Sequence, residues 1–306
     1  GMHGFSWTAT IDCPSPSTTA EMKVLVNDRD WMLGANHHFD TAATSTTIFP
    51  WFYTYQGTLQ IIPDVYSNEL NNSRDIIYYL PPSYLENTLK VHRNVLVMHD
   101  GQNLFLAATS SFGTAWYCQD SLDGTIIGGT TEEVIIAGAY NTVDRIDEYT
   151  YIYDPSEDSG GDGDLYLDWI EFRVNITKDT LGILGSSLGG LISCYGGWTR
   201  PSVYGKVGCM SSSFWWDDND YQNRIVSAAV PSSPVPEFYM DSGTGSVGEK
   251  ECTAYTLNIY DQMVQDGFVE NEQVFRYVDE GATHSESYWG PRFHIPMEAL
   301  YPASLV

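Results

Sequence analysis

The chain has 306 residues, with 40 acidic side chains against 14 basic ones and a formal charge of −26. That length suits one large domain or a domain with a small appendage, and the 42% hydrophobic content can fill a sizeable core. The charge argues against nucleic acid as a partner, because phosphate binding needs clustered Lys and Arg. No apolar run reaches the roughly 18 residues of a membrane span.

Five cysteines leave at least one unpaired, and no two stand at metal-ligand spacing. Few lysines, many Tyr, Trp and Thr, and the acid excess suggest a secreted or extracytoplasmic protein. The acid excess itself reads first as solubility.

In chain order, residues 1–70 read as β-rich. Phe5 to Ile11 and Met22 to Val26 alternate apolar and polar, as half-buried strands do. Gly34, Asn36 and Asp40 mark turns. This predicts a small all-β sandwich over 1–70 ahead of a larger domain over 71–306. The aromatic run Phe49-Pro50-Trp51-Phe52-Tyr53-Thr54-Tyr55 fits a sandwich core, or else a stacking surface for sugar rings.

The pattern changes from about residue 72. Short apolar runs occur at Ile76–Leu80, Asn94–Met98, Val134–Ala137, Leu181–Leu184, Val207–Met210, Glu237–Met240 and Val274–Val278. Helical patterns lie between several of them, including Gly189–Gly197 and Thr253–Gln265. Strands alternating with helices predict an α/β fold with a mostly parallel sheet covered on both faces. Active sites in such sheets gather at the carboxyl ends of the strands.

One such end carries Gly185-Ser186-Ser187-Leu188-Gly189-Gly190. Gly-x-Ser-x-Gly between a strand and a helix is the nucleophile-elbow pattern. The string is weak alone and gains its force from the strand before it and the helix after it. It makes Ser187 the candidate nucleophile. A serine needs a base, usually His, and in this pattern the order runs Ser, acid, His. Only His284 and His294 follow Ser187. His284 comes straight after the run Val274–Val278, at a strand's carboxyl end, so it is the candidate base. The acid should follow Glu237–Met240. Glu251, just before the helical stretch, is the first choice, with Glu249 and Asp241 as alternatives. Two backbone N–H groups should receive the oxyanion. Leu188, next after the nucleophile, supplies one. Gln102, in the loop His99-Asp100-Gly101-Gln102-Asn103, supplies the other.

Further residues stand at carboxyl ends. Arg145 could clamp a substrate carboxylate or sugar hydroxyl, or form a salt bridge that orders its loop. Trp116, Trp215 and Trp216 could wall an acyl pocket, or belong to the core. The chemistry requires no metal and no organic cofactor.

Three segments together resemble one family: Leu96-Val97-Met98-His99-Asp100-Gly101-Gln102-Asn103, Gly185-Ser186-Ser187-Leu188-Gly189-Gly190, and Gly281-Ala282-Thr283-His284-Ser285-Glu286-Ser287-Tyr288-Trp289. They resemble the Putative esterase family of α/β-hydrolases, which includes esterase D-like enzymes, feruloyl and acetyl-xylan esterases, siderophore-ester hydrolases and mycolyltransferases. The resemblance implies an α/β-hydrolase fold over about 72–304 and a serine carboxylic ester hydrolase. Its substrate would be a small-molecule or polysaccharide-linked ester, such as a carbohydrate-linked acyl or feruloyl ester. It also implies an oxyanion donor just after the Asp-Gly pair, at Gln102. Some members use Glu as the acid, which suits Glu249 or Glu251. The usual acid is an Asp shortly after a Gly-Thr pair, and none follows Gly243-Thr244 here. The first 70 residues loosely resemble starch- or glycogen-binding sandwich modules. Two other functions remain open: an acyltransferase using the same residues, and a non-catalytic carbohydrate-binding protein on a hydrolase scaffold.

Overall fold

Val95–Met98 is four apolar residues in a row, all buried, and the next strand in the sheet, Leu181–Ser186, is buried at all six positions. Strands buried on both faces need cover on both faces, and the architecture follows from that. The computed structural model describes residues 8–10, 19–41, 43, 45–173, 177–228, 230–231 and 235–303. The expected strand Phe5 to Ile11 lies largely outside them.

The central sheet has eight strands: β1 (Thr58–Ser67), β2 (Asn72–Leu80), β3 (Val95–Met98), β4 (Ile135–Ala139), β5 (Leu181–Ser186), β6 (Lys206–Met210), β7 (Glu237–Gly243) and β8 (Val274–Asp279). Their order is β8-β7-β6-β5-β3-β4-β2-β1. All pairs from β8 to β4 are parallel, and β2 pairs antiparallel with both β4 and β1. Alternate residues point to opposite faces. Val97, Ile183 and Val207 join one core with α2 (Gly163–Arg173), α3 (Leu188–Thr199) and α4 (Val247–Gln265). Leu96, Met98, Leu184 and Met210 join the other with α1 (Cys118–Gly128), α5 (Glu286–Arg292) and α6 (His294–Leu300). This is the α/β-hydrolase arrangement that the sequence led us to expect. A disulfide, Cys194–Cys209, ties α3 to β6. Among the described residues, Cys118 and Cys252 are buried thiols outside it.

The domain boundary at residue 70 needs correction. It falls inside a hairpin, because β1 pairs with β2 along its length and forms the edge of the central sheet. Asn71, at φ 53, turns the chain between them. Before β1, the described residues form two small ladders, Thr19–Met22 with His37–Asp40 and Leu25–Val26 with Asp30–Trp31. Among the described residues these are two separate two-stranded sheets. The aromatic run is not a strand either. Trp51 is buried in the core that contains α1, while Tyr53 and Tyr55 face solvent. The Glu86 carboxylate accepts the N–H groups of Phe52, Tyr53 and Thr54 at 2.6, 3.0 and 3.0 Å and fixes the run's path.

One buried ion pair reaches from the sheet toward the loops at its carboxyl end. Arg74 on β2 donates Nη1 and Nη2 to the two oxygens of Glu148 at 2.7 and 2.6 Å. Both side chains are almost fully enclosed. Asn72 and Thr142 also donate to Glu148 Oε1. Removing one partner of such a pair leaves an uncompensated buried charge. Arg74→Met should therefore lower unfolding stability by about 3–5 kcal/mol, measured by urea titration. A loss too small to resolve would show that the pair does not hold the fold.

Candidate active site

The turn after β5 places Ser187 at φ 58, ψ −126, a conformation that costs roughly 1–3 kcal/mol for a residue other than glycine. Three hydrogen bonds hold it. Ser187 N–H donates to the Met210 carbonyl at 3.1 Å, and the Ser187 carbonyl accepts from Ser213 and Leu191 N–H at 3.0 and 3.1 Å. The glycines are required by contact. A Cβ on Gly185 would stand 2.6 Å from the carbonyl carbon of Gly189, and one on Gly190 would stand 2.2 Å from Ser212 Oγ. The half-buried Ser187 side chain sits at the amino end of α3, with its Oγ 3.3 Å from Ser213 Oγ.

The loop after β3 is fixed just as firmly. Asp100 takes a left-handed conformation, φ 56 and ψ 44. Its carboxylate accepts Arg145 Nε and Nη2, each at 2.7 Å, and Asn141 Nδ2 at 2.6 Å. A Cβ on Gly101 would stand 2.4 Å from the Gly138 carbonyl oxygen, so only glycine lets the loop lie on β4. Beneath the loop, His99 is buried between the Tyr166 hydroxyl and Ser193 Oγ, at 2.8 and 3.0 Å. Burial brings its pKa down to about 3, so it is neutral. Gln102 and Leu188 are both buried. Among the described hydrogen bonds, neither of their amide hydrogens has an acceptor. Each can therefore receive a negative oxygen.

His284 follows β8 and meets solvent, with its side chain 33% exposed. Its Nδ1 lies 2.7 Å from Glu249 Oε2. The carboxylate beside the ring is thus Glu249. Glu249 is the alternative read from sequence; the side chain of Glu251, the first choice, lies outside the described residues. Asp241 is excluded by its partner. Arg292 Nε and Nη2 clamp its two oxygens at 3.0 and 2.9 Å, in full burial. His294 starts α6 with its Nδ1 on the Pro291 carbonyl at 3.0 Å and takes no part.

Glu249 is held by more than the ring. Ser211 Oγ accepts Trp289 Nε1–H at 3.1 Å and Arg292 Nη2–H at 2.9 Å. A hydroxyl accepts two bonds and donates one, so the Ser211 proton must point at Glu249 Oε1. Gly243 N–H donates to the same oxygen at 2.7 Å. Burial alone would raise this carboxyl. The hydrogen bonds from His284, Ser211 and Gly243 overcome burial and bring it down to about 2. Trp289 meets the His284 ring edge-on, with centroids 4.8 Å apart. A base next to a permanently ionised carboxylate can accept a proton and stay charged long enough to pass it on.

The other expected contacts divide. Arg145 pairs with Asp100 and orders the loop, the salt-bridge alternative read from sequence. Trp116 is buried against Trp289 and Phe293. Trp216 is buried with its Nε1 on the Ile152 carbonyl at 2.9 Å. Both are core. Trp215 stays exposed, two residues from Ser213. Ser211, Ser213, Trp289 and Arg292 were not singled out from sequence. The position of Ser211–Ser213, at the carboxyl end of β6, could have flagged the two serines.

A family model described as Putative esterase matches residues 67–298. The chain belongs to the Putative esterase family. Uncharacterized protein YbbA of Bacillus subtilis (strain 168) is 28% identical over 249 residues, covering 75% of this chain and 93% of that one. An IroE-like serine hydrolase from Shewanella oneidensis superposes with TM-score 0.58 at 17% identity, over 79% of each chain. A ferulic acid esterase superposes with TM-score 0.57 at 16% identity, over 81% of this chain and 99% of that one. The family match makes the chain a carboxylic ester hydrolase, and the solved structures share its fold.

In this esterase the Glu249 carboxyl is depressed by folding, so it stabilises the fold above its ordinary value of 4.5. That contribution is lost as pH falls through about 2. Ser211→Ala removes one of the bonds that depress it. The urea midpoint should fall less between about pH 6 and about pH 3 in the variant than in the wild type. Equal falls would show that Ser211 does not hold the charge.

Proposed function

We propose that this chain is a serine esterase working through an acyl-enzyme on Ser187. The observation that carries the reading is the strained Ser187 turn, flanked by two buried amides with no acceptor among the described hydrogen bonds. Strain of this kind persists only where the surroundings enforce it, and it clusters at functional sites.

In this reading, Ser187 Oγ turns from Ser213 toward His284 Nε2, which takes its proton as the oxygen attacks the ester carbonyl. The amide hydrogens of Gln102 and Leu188, with the amino end of α3, stabilise the oxyanion. Glu249 holds the Nδ1 proton and stabilises the imidazolium. His284 then protonates the leaving alcohol. A water, deprotonated by the same ring, releases the acid and restores Ser187.

The proposed substrate is a feruloyl or carbohydrate-linked ester. The exposed ring of Trp215, close to Ser213, supports a flat apolar group beside the scissile bond. The likeness to a ferulic acid esterase in fold is consistent with it. An extracytoplasmic location is part of the proposal, and the Cys194–Cys209 disulfide supports it, since such bonds persist in oxidising compartments.

Wild type should cleave p-nitrophenyl acetate, and Ser187→Ala should abolish the cleavage. Survival of that activity would overturn the assignment. Glu249→Gln should lower kcat by about 10³-fold or more, as loss of the acid does in a serine triad, while Glu251→Gln stays close to wild type. The opposite ranking would restore Glu251. For substrate class, Trp215→Ala should raise KM for methyl ferulate and leave KM for p-nitrophenyl acetate unchanged. Equal effects on both esters would remove Trp215 from the acyl site.

A further inference from the structure

Cys252 stands on α4 three residues after Glu249, so the two share a helix face. It is buried and lies outside the disulfide. A ring nitrogen of His284, a carboxylate oxygen of Glu249 and the Cys252 sulfur all lie within 4.8 Å of one another. No step of ester hydrolysis uses the thiol. The trio joins a soft sulfur, an imidazole and a carboxylate, a donor set that suits zinc and other late transition ions and does not suit magnesium or calcium.

We infer that Glu249, Cys252 and His284 form an inhibitory site for a thiophilic divalent cation such as Zn²⁺. Bonds of about 2.0–2.3 Å in a tetrahedron put ligand atoms roughly 3.3–3.6 Å apart. The longest edge, at most 4.8 Å, therefore needs to close by about 1.2–1.5 Å, and the 2.7 Å contact between His284 Nδ1 and Glu249 Oε2 needs to open by about 0.6 Å or more, both by turning the His284 ring and the cysteine side chain. The His284 side chain is 33% exposed, so an ion can reach the trio from solvent.

The inhibition follows from proton positions. Nδ1 is the ring nitrogen on Glu249, so the metal binds there and takes the place of the hydrogen bond. The Nδ1 proton moves to Nε2, and the neutral ring keeps one proton. The Cys252 thiol becomes a thiolate, so one proton leaves per ion bound. Nε2 then carries a hydrogen and has no lone pair for the Ser187 proton. The inhibition rests on His284 acting as the base, whereas the binding does not.

Two readouts separate these. Zn²⁺ titrated against p-nitrophenyl acetate hydrolysis should inhibit wild type, EDTA should reverse it, and equal Mg²⁺ should have no effect. Cys252→Ala and the closer isostere Cys252→Ser should need about tenfold more Zn²⁺ or higher, each compared with its own metal-free rate. Independently of activity, Co²⁺ should give wild type a thiolate charge-transfer band in the near ultraviolet. Both Cys252 variants should lose that band and Cys118→Ala should keep it. Equal Zn²⁺ sensitivity in the folded Cys252 variants would overturn the inhibition, and a wild type without the cobalt band would overturn the site. A wild type that shows the band but no Ser187-dependent hydrolysis would overturn the functional reading alone.

Discussion

A carboxylate removed from water must be fully hydrogen-bonded, or it takes up a proton and loses its charge. Glu249 is fully buried, and much of the architecture around it meets that demand. The last residue of β7 supplies an N–H, the residue after β6 supplies a hydroxyl, and the loop after β8 supplies the ring. Three adjacent parallel strands thus end on one carboxyl group. Ser211 pays for its part with a positive φ of 41, and Arg292 and Trp289 occupy its lone pairs and fix its proton.

The same economy of backbone governs the two loops beside Ser187. Gly185 and Gly190 are forced by neighbours that leave no space for a side chain, and Gly101 is forced by the carbonyl of β4. The Arg74–Glu148 pair fixes the segment from which Arg145 reaches Asp100. A charge on the second strand is therefore connected, through two salt bridges, to the loop that presents the Gln102 amide. The disulfide between α3 and β6 holds the helix behind Ser187 against the strand whose end carries Ser211.

Features encoded within a few consecutive residues were legible in the sequence. The apolar runs gave the parallel strands, and the glycine spacing gave the turn at Ser187. Chain order and the strand end at Val274–Val278 made His284 the candidate base. Features set by three-dimensional juxtaposition were not legible. Glu249 and Glu251 differ by two positions; the Ser246 cap, whose Oγ accepts the Glu249 N–H, marks the start of α4 but not the carboxylate that meets the ring, which the packing of α4 against the loop after β8 decides. Arg145 and Trp216 carry groups suited to a ligand, yet the structure occupies them with Asp100 and the Ile152 carbonyl. The boundary at residue 70 failed because a strand's partner is invisible in a single sequence. β1 pairs with β2 along its length and so belongs to the main sheet.

Asp241 and Glu249 are two buried acids linked through Ser211 and Arg292, with different partners. Ser211 touches both systems, through Arg292 on one side and Glu249 on the other. Arg292 is a permanent cation under ordinary conditions, so Asp241 has a fixed counter-charge, although full burial still pushes its carboxyl up. Glu249 faces a partner whose charge can change. While His284 is neutral, the bonds from Ser211 and Gly243 hold the carboxylate ionised. When the ring takes a proton, the attraction is already in place and no group has to reorganise. An arginine at Glu249 would cancel that response, and a histidine at Asp241 would leave it without a permanent counter-charge. The division of partners is what makes one acid structural and leaves the other able to serve a base.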